Sequence, residues 1–180
     1  MAAFDPVAFA MGKAGASRDL VSALMGGNGG GGGSGTLEQS GWVKSVDGGA
    51  TVNGNTVTMP SGNSSHSMNL APSGSSFKAG DVVVIAITVS SIYQQLTLNA
   101  GSSTYRTMAS ATGLFSSPSS GSGDYCRGTG DDVLTFTMKR DRSNFNFIPT
   151  LNGATGSADA YATIDITGIR YNGETIFGKV

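Results

Sequence analysis

Downstream of Gly41 the chain alternates apolar and polar residues over short runs, the period-two signature of strands with one buried face. Gly41-Trp42-Val43-Lys44-Ser45-Val46 is the first such run. Ala50-Thr51-Val52 and Thr56-Val57-Thr58-Met59 follow, separated by Asn53-Gly54-Asn55, and Asn-Gly between alternating runs is the strongest short hairpin signal. Phe77-Lys78-Ala79-Gly80-Asp81 reads as a turn into Val82-Val83-Val84-Ile85-Ala86-Ile87-Thr88-Val89, whose nearly continuous apolar character predicts a central strand. Gln95 to Asn99, Val133 to Met138, Phe145 to Ile148 and Tyr161 to Ile166 continue the pattern. Ile169-Arg170-Tyr171 and Glu174-Thr175-Ile176-Phe177 close it through Asn172-Gly173. Roughly eight to ten short strands at this spacing predict an all-β fold, a jelly-roll-like β-sandwich. Ser61 to Ser76 reads as a polar stretch with Met68 and Leu70 as strand contacts. The Ser/Gly-rich run from Ala109 to Gly130 reads as a long loop.

Upstream the period changes. Asp5 followed by Pro6 is a helix-start signature, because Asp caps free amides and Pro at the first helical position gives up no needed donor. A short N-terminal α-helix is therefore predicted from Asp5 to Met25, with Phe4, Val7, Phe9, Met11, Leu20 and Leu24 as its apolar positions. Gly12 and Gly15 interrupt it at about 1 kcal/mol each relative to Ala, so the helix is marginal in isolation. A weak apolar helix of this kind gains stability by burying those six side chains against a partner. The tract Gly26-Gly27-Asn28-Gly29-Gly30-Gly31-Gly32-Gly33-Ser34-Gly35 follows. It offers no side chains to bury and reaches on the order of 15–20 Å as a random coil of about ten residues. It is not a phosphate loop, since no Lys-Ser/Thr pair follows it. The predicted organisation is a helical anchor over residues 1–25, a glycine-rich linker over 26–38 and the sandwich over 39–180.

Composition narrows the function. Only 13% of residues are charged and the formal net charge is -1, so no basic face for nucleic acid or an anionic membrane can be assembled. No apolar run approaches the ~20 residues of a membrane-spanning helix. The start lacks the basic and apolar regions of a secretory signal, which predicts synthesis in a cytoplasm. The single cysteine, Cys126, excludes an intramolecular disulfide, leaving the core to carry stability.

Catalytic chemistry is thin. His66 is the only histidine, in the loop-like run Ser61-Gly62-Asn63-Ser64-Ser65-His66-Ser67, and reads as an exposed loop residue. No Gly-x-Ser-x-Gly elbow occurs, and serines are too numerous for a formal Ser-His-Asp set to carry meaning. One His and one Cys cannot build an ordinary zinc site. Asp81, Asp124, Asp131, Asp132 and Asp165 are calcium-ligand types, but beside glycine they read as turn formers. Asp131 and Asp132 are adjacent, so in a strand they point to opposite faces and do not make an acid/base pair. No enzyme, metal or cofactor is expected. Sugar binding fits the composition better, because such sites pair an aromatic platform with amides or a guanidinium. The candidates are Tyr93 with Gln95, Tyr105 with Arg106, and Tyr125 with Arg127. Trp42 has the strongest platform chemistry but reads as core, and Lys139-Arg140-Asp141-Arg142 reads as a solvated hairpin tip.

Two resemblances follow from these residues. Phe77-Lys78-Ala79-Gly80-Asp81-Val82-Val83-Val84 resembles the entry to a central strand of carbohydrate-binding-module-like jelly rolls, and Tyr161-Ala162-Thr163-Ile164-Asp165-Ile166-Thr167-Gly168-Ile169 resembles their final strand. Phe4-Asp5-Pro6-Val7-Ala8-Phe9-Ala10-Met11-Gly12-Lys13 ahead of a glycine tract and a sandwich resembles small tail, baseplate or head-fibre proteins of bacteriophages and prophages. The second resemblance implies a virion structural protein made in the host cytoplasm. Its helix would dock to other virion proteins, its sandwich would project toward host-surface glycan, and homo-oligomers, trimeric in many fibres, would be expected. A free-standing carbohydrate-binding or adhesion module is the alternative.

Overall fold

Strand-forming residues dominate wherever the alternation is clear, and each run places one side chain in two on a common apolar face. The computed structural model of the chain describes residues 35–61, 66–117, 123–150 and 160–180. All of them belong to the second of two units, Gly32–Val180. The predicted N-terminal helix, with Phe4, Val7, Phe9, Met11, Leu20 and Leu24, lies outside the described residues.

After a short 3-10 turn at Glu38–Ser40, the strands are β1 (Val43–Asp47), β2 (Thr51–Asn53), β3 (Thr56–Met59), β4 (Ser67–Leu70), β5 (Val82–Ile92) and β6 (Gln95–Asn99). They continue as β7 (Arg106–Ser110), β8 (Phe115–Ser116), β9 (Asp124–Cys126), β10 (Gly130–Met138), β11 (Phe145–Thr150), β12 (Ala162–Tyr171) and β13 (Glu174–Gly178). Two antiparallel sheets result, in the orders β1-β4-β11-β6-β9-β8 and β2-β3-β12-β5-β10-β7, with β13 paired to β12. The described residues form an all-β, sandwich-like fold. The Asn-Gly hairpins form where predicted, β2 to β3 and β12 to β13.

The long apolar strand β5 is central, between β12 and β10. Val83, Ile85, Ile87 and Val89 point into the core from it. Aromatic rings join the sheets: Phe136 of β10 lies 4.8 Å from Phe145 of β11, and Phe145 stacks on Phe77 at 4.3 Å. Trp42 meets Tyr171 of β12 edge-on at 5.3 Å and is 2% exposed, as a core tryptophan should be. Burying each such ring contributes about 1.5–3 kcal/mol.

Three details differ from the expectations of the sequence. Leu37, which falls within the predicted linker, is fully buried, and its N–H donates to Asn55 Oδ1 at 2.8 Å. The serine- and glycine-rich run beyond Ala109 carries β8 and β9, which extend the first sheet. His66 is buried at 5% exposure rather than lying in an open loop, because it immediately precedes β4, one of the interior strands of that sheet.

Candidate functional site

The antiparallel registers define two ends of the sandwich. Val82, Arg106 and Met138 lie at one end, together with the turns after Asn99 and Tyr171. Ile92, Gln95, Arg127 and Tyr161 lie at the other. The six predicted ligand residues divide between them. Tyr93, Gln95 and Arg127 share the second end, while Tyr105 and Arg106 belong to the first. Tyr125 sits in mid-strand on β9, opposite Thr97.

At the second end, β5 runs out at Ile92 and the chain reverses within three residues into β6. The Gln95 N–H donates to the Tyr93 carbonyl at 2.8 Å across Gln94, which has φ 58°. A glutamine in the left-handed region is strained, and such strain concentrates where a local geometry is needed. The turn leaves Tyr93 half-buried, with its N–H donating to the Tyr161 carbonyl at 3.0 Å. The two rings face each other at 5.7 Å and 33°. Tyr161 is 39% exposed, so the pair presents a ring surface to solvent. The alternation marks Tyr161 only as the start of a strand. The signal that it belongs to the site is its position next to β12, which brings it beside the end of β5.

Beyond the turn, the Gln95 side chain is buried at 1% exposure. Its Oε1 accepts from Arg127 Nε at 3.0 Å, holding the exposed guanidinium at the end of β9. Tyr93 and Gln95 are joined through the backbone alone. With Leu96, Leu98 and Cys126 in the core, Gln95 and Arg127 lie on the outer face of the first sheet, whereas core Ala162 and Ile164 put Tyr161 and its partner Tyr93 on the outer face of the second. The tyrosine pair is a ledge. Two surface grooves among the described residues, of about 460 Å³ beside Lys44 and Pro72 and about 320 Å³ beside Thr88 and Asp131, lie elsewhere. Of the two kinds of feature, the ledge has the better case as a site, because stacking onto an aromatic face needs no enclosure.

At the opposite end the candidates have internal tasks. Arg106 Nη2 meets Asp124 Oδ2 at 2.5 Å, with side-chain exposures of 4% and 0%. The Ser117 hydroxyl also donates to Asp124. Burial pushes the Asp124 carboxyl up from its ordinary value, against the pull of Ser117 and Arg106. Tyr105 is 37% exposed beneath the Arg140 guanidinium, 5.6 Å from its ring centre.

The aspartates of calcium-ligand type hold the fold. Asp132 accepts from the Ser110 hydroxyl at 2.5 Å and from the N–H groups of Thr112, Phe115 and Val133. Burial raises its carboxyl, but these four donors outweigh burial and keep it below the usual range. Asp81 accepts from Tyr171 Oη at 2.5 Å, Asn172 Nδ2 at 2.9 Å and the Lys78 N–H at 2.6 Å. Asp165 accepts from Thr56 and Ser90, and Asp131 from Thr88. Asp131 is exposed and Asp132 buried, as their adjacency on one strand requires. Among the described residues no cluster of three or more His, Cys, Asp or Glu is placed to hold a metal ion.

Compared with protein families, with curated proteins and with solved structures, the chain matches none.

Proposed function

We propose that the domain is a non-enzymatic binding module, jelly-roll-like in its strand course, that engages a sugar on the ledge formed by Tyr93 and Tyr161. The observation that carries this reading is the ring pair, Tyr161 exposed and Tyr93 half-buried, set at the end of β5 by a strained turn. A tyrosine face takes the C–H side of a pyranose. The carboxylates favour binding over catalysis, because Asp81, Asp124, Asp132 and Asp165 each accept at least two hydrogen bonds within the fold. In this reading residues 1–25 attach the module to other virion proteins and the glycine tract lets the sandwich turn toward a host glycan.

A glycan array probed with the full chain tests the ledge. Tyr93→Ala with Tyr161→Ala should lose at least tenfold in affinity at an unchanged melting temperature. Undiminished binding by that double variant, or no binding to any glycan by the parent chain, would refute the proposal.

A further inference from the structure

The outer face of the second sheet holds a groove whose chemistry is set by register. Ile85 and Ile87 of β5 and Leu134 and Phe136 of β10 are core, so Ala86 and Thr88 face outward on one strand, Asp131 and Val133 on the other. The pairing sets Ala86 opposite Val133 and Thr88 opposite Asp131. On the other flank of β5, β12 bulges at Thr167, between the pairs Ile166–Ile87 and Gly168–Ala86. A groove of about 320 Å³ lies at Ala86, and Thr88, Asp131, Val133, Thr112 and Thr167 line it. None of these residues adjoins an undescribed stretch of the chain. Thr88 Oγ1 donates to Asp131 Oδ1 at 2.6 Å and Thr112 Oγ1 to the Asp131 carbonyl at 3.1 Å, so the exposed carboxylate is oriented. Its Oδ2 accepts from no described residue. The ion pairs among the described residues, Lys78–Asp141 and Arg106–Asp124, leave Asp131 without a cation. Val133, 38% exposed, supplies an apolar wall two residues away on the same strand face.

We infer that this groove binds an alkyl ammonium group, its nitrogen on Asp131 Oδ2 and its methylene stem along Val133 and Ala86. The site is separate from the tyrosine ledge and does not depend on the sugar-binding reading. Positions two apart on one strand face lie about 7 Å from each other, a span that the stem and nitrogen of a lysine side chain or a short free amine fill. The apolar wall takes the methylenes, and the oriented carboxylate takes the charge. Thr88 already engages Oδ1, which favours a point donor on Oδ2 over the two-pronged grip of a guanidinium. A calcium ion matches less well, because it gathers about six to eight oxygens and the groove presents one carboxylate beside a valine.

Amide chemical shifts of the isotope-labelled full chain, followed by NMR, test this with pentylamine, pentanol and the methylamide of N-acetyl-lysine. Pentylamine should give saturable shifts at Thr88, Asp131, Val133 and Thr167, with a Kd on the order of millimolar. Pentanol has the same stem without the charge and should bind about fivefold more weakly, the scale of one exposed ion pair. Asp131→Asn keeps an acceptor for Thr88 but removes the charge, and should erase the preference for the amine at parental melting temperature. Ala86→Val keeps the charge but fills the groove, and should weaken amine and alcohol alike. If that variant fails to fold, Asp131→Asn decides alone. The lysine derivative binding as well as pentylamine assigns the groove to a lysine side chain of a partner protein; pentylamine binding without it assigns a free amine. Equal affinity for amine and alcohol, or a preference that survives Asp131→Asn, overturns the inference. So do saturable shifts confined to other residues, a folded Ala86→Val variant that binds normally, or no saturable shifts up to tens of millimolar amine.

Discussion

The Arg106–Asp124 pair joins β7 of one sheet to β9 of the other through the interior, and its removal is a quantitative test of the fold. Asp124 is fully buried, Arg106 is nearly so, and Nη2 and Oδ2 are 2.5 Å apart. Taking away one partner leaves the other desolvated and unpaired, which costs about 3–5 kcal/mol. For a domain of this size that lowers the melting temperature by about 6–20 °C. Replacing both partners is different. Arg106 Nε has no hydrogen-bond partner, so the native pair already carries an orphan donor. Arg106→Met with Asp124→Leu removes both charges and that orphan, and should return stability to within about 1 kcal/mol of the parent or above it. Urea titrations of the two single variants and the double variant complete the cycle. Acidity adds an independent check. Burial already raises the Asp124 carboxyl, and losing Arg106 raises it further, so the Arg106→Met deficit should shrink as pH falls and Asp124 takes up a proton. Single variants within 1 kcal/mol of the parent, or a double variant as unstable as the two losses added, would refute the reasoning.

Two further outcomes follow from buried polar groups. His66 has neither ring nitrogen hydrogen-bonded, so His66→Leu should raise stability by about 1 kcal/mol, read as a higher urea midpoint at unchanged slope. Burial and the Asp81 contact push the Tyr171 phenol up to about 12, so the folded state holds that proton more tightly than the unfolded one. The stability it contributes is complete below pH 10 and lost as pH rises from 10 to 12; Tyr171→Phe should flatten that limb in denaturation curves taken across the window.

Much of the framework is legible in the sequence because it depends on local periodicity. Gln95–Asn99 forms a strand with the bounds its alternation indicates, and both Asn-Gly turns close hairpins. Trp42 and the inward side chains of β5 are core for the same reason. The misreadings share a different cause. His66, β8 and β9 lie in serine- and glycine-rich sequence with little apolar signal, and tertiary pairing alone makes them buried or extended. Phe115 and Cys126 are the few apolar positions that betray it, both buried and paired across β8 and β9. Composition singles out tyrosines beside amides and guanidinium groups, yet has no means of separating Arg106 from Arg127. One lies opposite a carboxylate from the facing sheet and the other opposite an amide at a strand end, a distinction made by register alone. Tyr161 joins Tyr93 for the same reason.

The Arg106 end of the sandwich spends its charged groups on the fold, which argues for placing function at the tyrosine ledge instead. At the Arg106 end, Asp141 takes Lys78 Nζ at 2.9 Å and the Ala79 N–H at 3.1 Å. Arg142 donates to the carbonyls of Asn144 and Asn99 and to Asn99 Oδ1. Lys139 donates to the Ser103 carbonyl, and Arg140 covers Tyr105. These side chains close that end by bonding to one another and to the backbone. At the other end, Arg127 serves the buried Gln95 Oε1, while the position of the Tyr93–Tyr161 pair requires a strained glutamine. Stability alone does not call for that turn: glycine at position 94 would relieve the strain. A group oriented but not consumed by its own fold is what a binding surface requires. Internal pairing at the Arg106 end has used up the groups that could have played that part there.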